Sequence, residues 1–198
     1  MLKNIVVLVS GGGTNLQALL DAQARGELRG GAIAAVISSK EGAYALERAA
    51  KAGVSGYVVA KKDYPDHRSY SLALLEKCRE LQADLIILAG FMHILTGEFV
   101  NAFENAILNV HPALIPSFCG AGFYGLRVHE RALEYGVKVT GATVHLVNEV
   151  PDGGPILLQK AVEVLPGDTP EVLQKRVMEQ AEWVLLPQAT EMVCGQLP

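Results

Sequence analysis

Short apolar segments alternate with helix-like segments through the first half of this chain of 198 residues. The apolar segments carry hydrophobic side chains at consecutive positions, which is typical of strands buried on both faces of a parallel sheet. The segments between them repeat apolar residues every three or four positions, as helices that cover such a sheet do. We therefore predict an α/β fold with a Rossmann-like, mostly parallel sheet and flanking helices. The predicted strands are residues 5–9, 32–38, 56–59, 84–88 and 106–111, and the predicted helices are residues 16–25, 44–52 and a third that follows Asp66 as its N-cap.

The second half of the chain has a different pattern. Residues 140–147 alternate as a half-exposed strand does, and residues 156–164 are predicted to be its antiparallel partner. Thr169 and Pro170 predict the start of a last helix that extends into the 180s, where Pro187 is expected to kink or end it. Because no linker separates two folded units, we predict one domain over residues 1–198, with a Rossmann-like half (1–111) and a second half (112–198).

The composition narrows the range of partners. The net charge of −4 argues against a nucleic-acid-binding surface. The cysteines lack a C-x-x-C pair and the histidines lack H-x-H and H-x-x-x-H spacings, so neither a disulfide framework nor a metal site is expected. No apolar run reaches membrane-spanning length, and the first residues lack the features of a signal peptide. We therefore expect a cytoplasmic protein that binds neither membranes nor nucleic acids.

Three consecutive glycines follow the first predicted strand, within residues 10–15 (SGGGTN). Glycine permits positive φ angles and lets a ligand approach the backbone closely. Free N–H groups at the start of the next helix favour an anion, and a phosphate is the natural ligand. The alternative is a tight turn between strand and helix, with Thr14 or Asn15 as a simple cap.

Asn109 and His111 stand two positions apart at the end of an apolar run, and Pro112 follows them. In a strand, this spacing places both side chains on the same face. Since proline cannot continue the hydrogen-bond ladder, the strand should end there, at the edge where open α/β sheets bind ligands. Asp152, in the sequence Asp-Gly-Gly-Pro, is a candidate third member of a catalytic site. The alternative is that Asn109 and His111 are structural and that Asp152 is only a turn residue.

The remaining histidines and one cysteine are weaker candidates. His145 is predicted to face the core or to support the site, and His67 and His129 are predicted to be surface or helix-start residues. Cys119 is either a reactive thiol in an exposed loop or a buried apolar residue.

Four segments, taken together, resemble the phosphoribosylglycinamide formyltransferase family. They are residues 7–18 (VLVSGGGTNLQA), residues 89–92 (AGFM) before 94–95, residues 108–116 (LNVHPALIP), and residues 143–145 (TVH) leading to 152–155 (DGGP). The resemblance covers essentially the whole chain and implies the formyltransferase fold. It also implies transfer of a formyl group to the amine of glycinamide ribonucleotide, a step of purine synthesis. The implied co-substrate is 10-formyltetrahydrofolate, and no metal is implied.

The resemblance assigns roles to individual positions, with residues 1–111 as the phosphate- and ribonucleotide-binding half and residues 112–198 as the folate-binding and C-terminal half. The implied catalytic residues are Asn109, His111 and Asp152. The implied ribonucleotide-binding residues are Gly13, Thr14, Asn15, Glu179, Gln180, Ala181 and Glu182. The implied folate-binding residues are Arg68, Met92, His93, Ile94, Leu95, Asn109, Asn148, Glu149, Val150, Pro151 and Asp152.

Three features depart from the family pattern. His93 stands where the family commonly has arginine, and the helix before Glu182 is one residue longer than is common. The segment Cys119–Gly125 is longer than the usual loop, and Cys119 stands where proline is usual. The glycines of this segment predict a flexible lid over part of the site.

The implied reaction needs groups of the kind that these residues supply. A neutral amine that attacks a formyl carbon produces a tetrahedral species with a negatively charged oxygen. Asn109 can donate a hydrogen bond to that oxygen at any pH, and a protonated His111 would be a second donor. A histidine with its ordinary pKa of about 6.5 is mostly neutral in the cell, so we expect Asp152 to raise the pKa of His111. Asp152 is also expected to help pass a proton from the amine to the departing folate nitrogen, directly or through water.

Other functions stay open at the level of the sequence. A formyltetrahydrofolate hydrolase would share the catalytic trio but would usually carry a regulatory domain before the first strand. A methionyl-tRNA formyltransferase would need a further domain and a basic surface. A non-catalytic nucleotide-binding module would bind its ligand without turnover. The glycine-rich loop favours a phosphorylated small-molecule acceptor, and a monomer or weak homodimer is expected.

Overall fold

The computed structural model describes residues 2–197, and its centre is one seven-stranded sheet. The strands are β1 (Lys3–Val9), β2 (Gly31–Ser38), β3 (Ser55–Val58), β4 (Leu85–Leu88), β5 (Ile107–His111), β6 (Val139–Leu146) and β7 (Ile156–Glu163). The helices are α1 (Thr14–Ala24), α2 (Tyr44–Lys51), α3 (His67–Glu80), α4 (Gly97–Ala102), α5 (Leu126–Tyr135), α6 (Pro170–Val177) and α7 (Trp183–Cys194). A 3-10 turn (Lys61–Asp63) and a π-helical turn (Met178–Glu182) are the other helical segments of the described chain.

The strands have the order β3-β2-β1-β4-β5-β6-β7. Neighbours from β3 to β5 are parallel, whereas β6 pairs antiparallel with both β5 and β7. This confirms the prediction of a mostly parallel sheet with antiparallel strands in the second half. The chain builds outward from β1 on one side through β2 and β3, and then returns to build β4 and β5 on the other. The crevice at the carboxyl ends of β1 and β4 is therefore a topological switch point, where sheets of this kind bind ligands.

The parallel strands are buried on both faces, as their continuous apolar sequences predict. In β1, Ile5, Val7 and Val9 belong to a core cluster that includes side chains of α1, α2, α6 and α7. Val6 and Leu8 face the opposite side and belong to a second cluster with α3 and α4. The two-residue period of a strand thus produces one hydrophobic core on each face of the sheet. These two cores cover both faces of the sheet whose carboxyl ends carry the site.

Two predicted helix starts are confirmed. The Asp66 carboxylate accepts the N–H of Ser69 at 2.7 Å and caps α3. The Thr169 hydroxyl accepts the N–H of Val172 at 3.4 Å, directly before Pro170 at the first position of α6. Two short helices, α4 and α5, lie where the sequence patterns predict none.

Of the two outcomes predicted for Pro187, the end of the last helix is wrong, and the kink stays a prediction. Pro187 is buried inside α7, which continues to Cys194. A proline there lacks the N–H that would bond to the carbonyl of Trp183, and its ring crowds that carbonyl. Burial of Leu186 and Ala189 in the core keeps the helix intact on both sides of the proline. The interruption lies earlier, in the π-helical turn that separates α6 from α7.

Across residues 2–197, no helix is both long enough and apolar enough to cross a lipid bilayer.

Candidate active site

Asn109 and His111 lie at the carboxyl end of β5 and face the same side, as their spacing predicts. The neighbouring strand β6 places His145 directly opposite Asn109. Asp152 reaches the same point from the turn that follows β6, where its backbone has a φ of 55°. Its carboxylate oxygens lie 3.4 Å from Asn109 Nδ2 and 3.5 Å from His111 Nδ1. The structure therefore brings the three predicted catalytic residues together.

His145 supports this cluster, in agreement with its prediction. Its Nδ1 lies 2.8 Å from the Leu146 carbonyl, which assigns the ring proton to Nδ1 as a donor. In that tautomer Nε2 accepts a hydrogen bond from Asn109 Nδ2, which is 3.2 Å away. The same Nε2 lies 3.6 Å from Asp152 Oδ1. The buried His145 ring thus fixes the orientation of the Asn109 carboxamide beside the carboxylate.

Burial and the Asp152 charge act in opposite directions on the pKa of His111. Burial lowers this pKa and the neighbouring His145 adds to the effect, whereas Asp152 and the Phe118 carbonyl, 2.8 Å from Nε2, oppose it. The result is a pKa below the ordinary histidine value. The expectation that Asp152 would raise it is therefore wrong as a net result, because a ring that is only 4% exposed has lost most of its hydration. His111 is mostly neutral in the free protein near neutral pH.

Asp152 is ionised in this environment. Burial raises the pKa of its carboxyl group, but His145, His111 and the Gly120 N–H outweigh burial, and the net pKa lies below the ordinary value. The Gly120 N–H donates to Asp152 Oδ2 at 2.8 Å. A charged carboxylate is thus held against two histidine rings and a carboxamide.

The segment Cys119–Gly125 contributes backbone groups to the site. The carbonyl of Phe118, just before it, contacts His111, and the N–H of Gly120 contacts Asp152. Both residues have positive φ angles, of 49° and 85°, which turn the backbone toward the cluster. No sequence pattern reveals these contacts, because backbone donors and acceptors carry no side-chain signature. Movement of this segment as a lid stays a prediction.

A cavity of about 490 Å³ opens beside the cluster, and we call it the active-site cavity. Most of the residues predicted to act in the site line this cavity. They are Asn15, Met92, His93, Ile94, Leu95, Asn109, His111, Asn148, Glu149, Val150, Pro151, Asp152 and Glu182. The predicted residues that do not line it are Gly13, Thr14, Arg68, Glu179, Gln180 and Ala181. Lining residues that the sequence did not single out for the site include Phe91, His129, Gln174 and Met178, and Gly120–Gly125 of the predicted lid also line it.

The residues outside the lining have other surroundings. Arg68 is exposed, and its Nε donates to Glu98 Oε1 at 2.7 Å. Ala181 packs in the core, and Glu179 lies 3.8 Å from Lys175 at the surface. Since side chains of one helical turn point in different directions, the π-helical turn directs Glu182 into the cavity and its neighbours elsewhere. The binding roles of these outer residues stay predictions.

Asn15 and Glu182 form a buried polar pair in the cavity wall. Asn15 Nδ2 donates to Glu182 Oε2 at 2.8 Å, and the residues are 8% and 6% exposed. Burial raises the pKa of Glu182 to about 7, although the hydrogen bond from Asn15 opposes this rise. The Oδ1 atom of Asn15 is buried without a partner. Buried polar atoms are normally hydrogen-bonded, so this pair is suited to a polar ligand.

The glycine-rich loop leaves the first amides of α1 free. Gly13 is the N-cap, with a φ of 72°, and no side chain caps the helix. Within the described chain, the N–H groups of residues 12–15 donate to no other group. A cluster of free amides at a helix N-terminus fits an anion, as the sequence predicts.

Gly13→Ala is expected to destabilise the protein more than Gly26→Ala. Both glycines have a φ of 72°, but a Cβ at Gly13 would lie 2.6 Å from Ala45 Cβ, whereas a Cβ at Gly26 would have no neighbour within 4 Å. Gly26→Ala therefore measures the left-handed backbone cost alone, about 1–2 kcal/mol, and Gly13→Ala adds displacement of α2. Urea unfolding of both variants measures the difference. Equal losses would show that the loop does not pack tightly on α2.

His129 has surroundings that the sequence did not predict. It lies in the first turn of α5, as a helix-start residue, but its side chain is fully buried and not at the surface. His129 is among the residues that line the active-site cavity, and neither of its ring nitrogens has a hydrogen-bond partner. Burial lowers the pKa of His129 to about 4, and the nearby His111 adds to this effect. His67, by contrast, is the exposed first residue of α3.

The buried His129 is expected to make the folded state sensitive to acid. The ring binds a proton at a pKa near 6.5 when unfolded but only near 4 when folded. Its contribution to stability is therefore complete above the unfolded pKa and is lost as the pH falls toward the folded pKa, by up to about 3 kcal/mol. Urea unfolding across this range should show a smaller acid-dependent loss for His129→Leu than for the unmodified protein. The raised pKa of Glu182 acts in the opposite direction, but Glu182 is present in both proteins and does not affect the comparison. The same dependence of the free energy of unfolding on pH in both proteins would contradict the prediction.

The fold and the site define a class of protein. A Rossmann-like sheet carries a glycine-rich loop with free amides after its first strand. It also carries an amide and an imidazole at the carboxyl end of β5, next to a carboxylate from the turn after β6. These are parts that a group-transfer enzyme needs.

Comparison with known proteins identifies the family. The model of the Formyl transferase family matches residues 3–190. A phosphoribosylglycinamide formyltransferase of Haemophilus influenzae is 41% identical over 186 residues, which cover 94% of this chain and 84% of that protein. The crystal structure of glycinamide ribonucleotide transformylase 1 from Symbiobacterium toebii superposes with a TM-score of 0.92 at 43% identity, covering 98% of this chain and 89% of that one. The chain therefore belongs to the formyl transferase family and, within it, to the phosphoribosylglycinamide formyltransferases.

Some relatives are much longer. The trifunctional purine biosynthetic protein adenosine-3 of Drosophila pseudoobscura pseudoobscura is 42% identical over 195 residues, which cover 98% of this chain but 14% of that protein. The chain thus corresponds to one small part of such trifunctional proteins.

Proposed function

We propose that the chain transfers the formyl group of 10-formyltetrahydrofolate to the amine of N1-(5-phosphoribosyl)glycinamide, in de novo purine (IMP) biosynthesis. The products are the N-formyl ribonucleotide and tetrahydrofolate. The observation that carries the proposal is the contact of the Asp152 carboxylate with both Asn109 and His111, at 3.4 and 3.5 Å, in the wall of the active-site cavity.

The bond changes in this reaction explain the choice of residues. The amine nitrogen bonds to the formyl carbon, and the bond from that carbon to the folate nitrogen then breaks. In between, the formyl oxygen carries negative charge. Asn109 donates to it through the Nδ2 N–H that lies 3.4 Å from Asp152 Oδ1 in the free protein, while His145 Nε2 accepts the other N–H and orients the carboxamide. Donors placed in advance stabilise such an oxygen because they need no reorganisation during the reaction.

His111 is the second donor, and its charge depends on the reaction itself. Its Nε2 donates to the Phe118 carbonyl at 2.8 Å, so the second proton is held at Nδ1, which lies 3.5 Å from Asp152 Oδ2 and supplies the N–H for the formyl oxygen. Burial keeps the pKa of His111 low in the free protein. The negative charge that develops on the formyl oxygen favours the imidazolium form of His111. His111 therefore binds its second proton most strongly in the tetrahedral species, when the oxygen is charged.

Asp152 carries the proton that the amine loses. The attacking nitrogen becomes positively charged in the tetrahedral species, whereas the folate nitrogen must gain a proton as it leaves. The ionised carboxylate accepts the first proton and returns it to the folate nitrogen, directly or through water. No proton, electron or metal is consumed overall.

The two substrates are assigned to different parts of the site. The phosphate of the ribonucleotide binds at the free amides of Gly13, Thr14 and Asn15, and Glu182 contacts its sugar. The folate lies along residues 92–95 and 148–152, which line the active-site cavity. Arg68, exposed beside Glu98, would reach the outer end of the folate. We further propose that residues 1–198 form one such catalytic domain, that it acts without a metal in the cytoplasm, and that it is a monomer or weak homodimer.

A spectrophotometric assay for tetrahydrofolate tests this function. The protein is incubated with 10-formyltetrahydrofolate in the presence and absence of glycinamide ribonucleotide. We expect tetrahydrofolate to form only when the ribonucleotide is present. Release without the ribonucleotide would identify a hydrolase, and ligand binding without any release would identify a non-catalytic module. Either result would contradict the proposal.

A further inference from the structure

Helix α2 holds the carbonyl groups of the glycine-rich loop. The N–H of Ala45 donates to the Gly11 carbonyl at 3.1 Å, and Arg48 Nε donates to the Gly12 carbonyl at 2.8 Å. Gly13, the next residue, packs so closely on α2 that an added Cβ would lie 2.6 Å from Ala45 Cβ. Two successive carbonyl groups of the loop are therefore bound by α2.

The direction of these carbonyl groups determines the direction of the amides. In a planar trans peptide, the C=O and N–H bonds point in opposite directions. The Gly11 carbonyl shares its peptide with the Gly12 N–H, and the Gly12 carbonyl shares its peptide with the Gly13 N–H. Because α2 binds both carbonyls, both N–H groups point away from α2. Together with the N–H groups of Thr14 and Asn15, they form the free amide cluster at the start of α1.

The guanidinium of Arg48 is held in place by its own contacts. Its Nη1 donates to Gln17 Oε1 at 2.9 Å, and its Cζ lies 4.9 Å from the centre of the Tyr44 ring. The planar group therefore has a fixed orientation before any ligand binds, and lysine cannot reproduce this set of contacts.

A second observation links this loop to a ligand. Asn15, whose N–H is the last of the free amides, is only 8% exposed, lines the active-site cavity and leaves its buried Oδ1 without a partner. An unfilled buried acceptor next to unfilled amides indicates that a polar molecule completes this wall.

We propose that Arg48 is a positioning residue for the phosphate of the ribonucleotide. It does not touch the phosphate. By binding the Gly12 carbonyl, it fixes the peptide between Gly12 and Gly13, so that the Gly13 N–H points at the anion. This inference rests on the proposed function, which supplies the phosphorylated substrate.

Steady-state kinetics of Arg48→Ala tests the proposal. Without the guanidinium, the half-exposed Gly12–Gly13 peptide is free to rotate, and the phosphate loses a directed donor. The KM for the ribonucleotide should rise about tenfold or more, which is the order of effect expected from losing a charge-assisted hydrogen bond. The kcat and the KM for 10-formyltetrahydrofolate should stay close to those of the unmodified protein. An unchanged KM for the ribonucleotide, or an equal rise in both KM values, would overturn the proposal.

Two further variants separate position from charge. Arg48→Lys keeps the charge but cannot bind Gly12 and Gln17 together, so its KM for the ribonucleotide should stay raised. Arg25→Ala removes the same charge from the other end of α1, where Arg25 pairs with Glu27 at 2.6 Å, and should leave this KM unchanged. Full recovery with lysine, or an equal rise with Arg25→Ala, would show that charge alone acts and would overturn the positioning role.

A binding measurement keeps this proposal distinct from the proposed function. Inorganic phosphate is titrated into isotopically labelled protein, and NMR follows the amide signals of Gly12 and Gly13. We expect both signals to shift in the unmodified protein and to respond only at higher phosphate concentration in Arg48→Ala. If this difference is found in a protein without formyl transfer, the proposed function fails and the role of Arg48 stands. If both proteins bind phosphate equally, the role of Arg48 is contradicted whatever the activity.

Discussion

Replacing Asp152 by asparagine is expected to lower kcat by about a hundredfold or more. The variant keeps the shape of the side chain but loses the carboxylate that accepts the proton from the amine. It also loses the charge that favours the imidazolium form of His111, so the pKa of His111 should fall further below its ordinary value. Rapid-mixing or steady-state kinetics measures the first effect, and an NMR titration of the His111 ring measures the second.

Asp168→Asn is the matched control for this substitution. Asp168 is also a carboxylate in direct contact with a cation, with its Oδ1 2.6 Å from Arg176 Nη2, but it does not line the active-site cavity. Its loss should affect stability and leave kcat unchanged. Full activity in Asp152→Asn, with an unshifted His111 titration, would remove Asp152 from the mechanism.

Replacing Asn109 by leucine is expected to lower kcat by about 10²–10³, the usual effect of removing one donor to a developing oxyanion. Leucine has nearly the same shape but cannot donate a hydrogen bond. The effect should fall on kcat more than on either KM, because the donor is needed most when the oxygen is charged.

Asn4→Ala is the control, because it removes a carboxamide that lies outside the site. Asn4 Nδ2 donates to the Gln82 carbonyl at 3.1 Å, near the amino end of β1 and so at the opposite edge of the sheet from the site. It should therefore keep the kcat of the unmodified protein. If Asn109→Leu instead raises both KM values at constant kcat, Asn109 binds the ground state and is not a transition-state donor.

The parallel half of the fold could be predicted because its strands are buried on both faces. In β1 and β4 this burial demands apolar residues at consecutive positions, in runs too short for a buried helix. The convergence of Asn109 and His111 followed from the same logic, since the period of a strand fixes which side chains share a face. The pairing of Asp152 with them came from the family resemblance and not from any spacing.

What could not be predicted depends on contacts between distant segments. The pKa of His111 falls because the surrounding structure removes water from its ring, and no sequence pattern shows how deep a residue lies. The same holds for His129, which sequence alone could not distinguish from a surface residue. The continuation of α7 through Pro187 reflects burial of its neighbours, which outweighs the local preference of proline. Phe118 and Gly120 act through backbone atoms, which every residue has.

The fate of an isotopically labelled formyl group tests the central claim most directly. The protein is supplied with 10-formyltetrahydrofolate labelled at the formyl carbon, together with glycinamide ribonucleotide, and NMR identifies the labelled product. If Asn109, His111 and Asp152 direct attack by the amine, the label should appear as the formamide of the ribonucleotide and this product should nearly vanish in Asp152→Asn. Label found in free formate, or a formamide yield that does not depend on Asp152, would contradict the account.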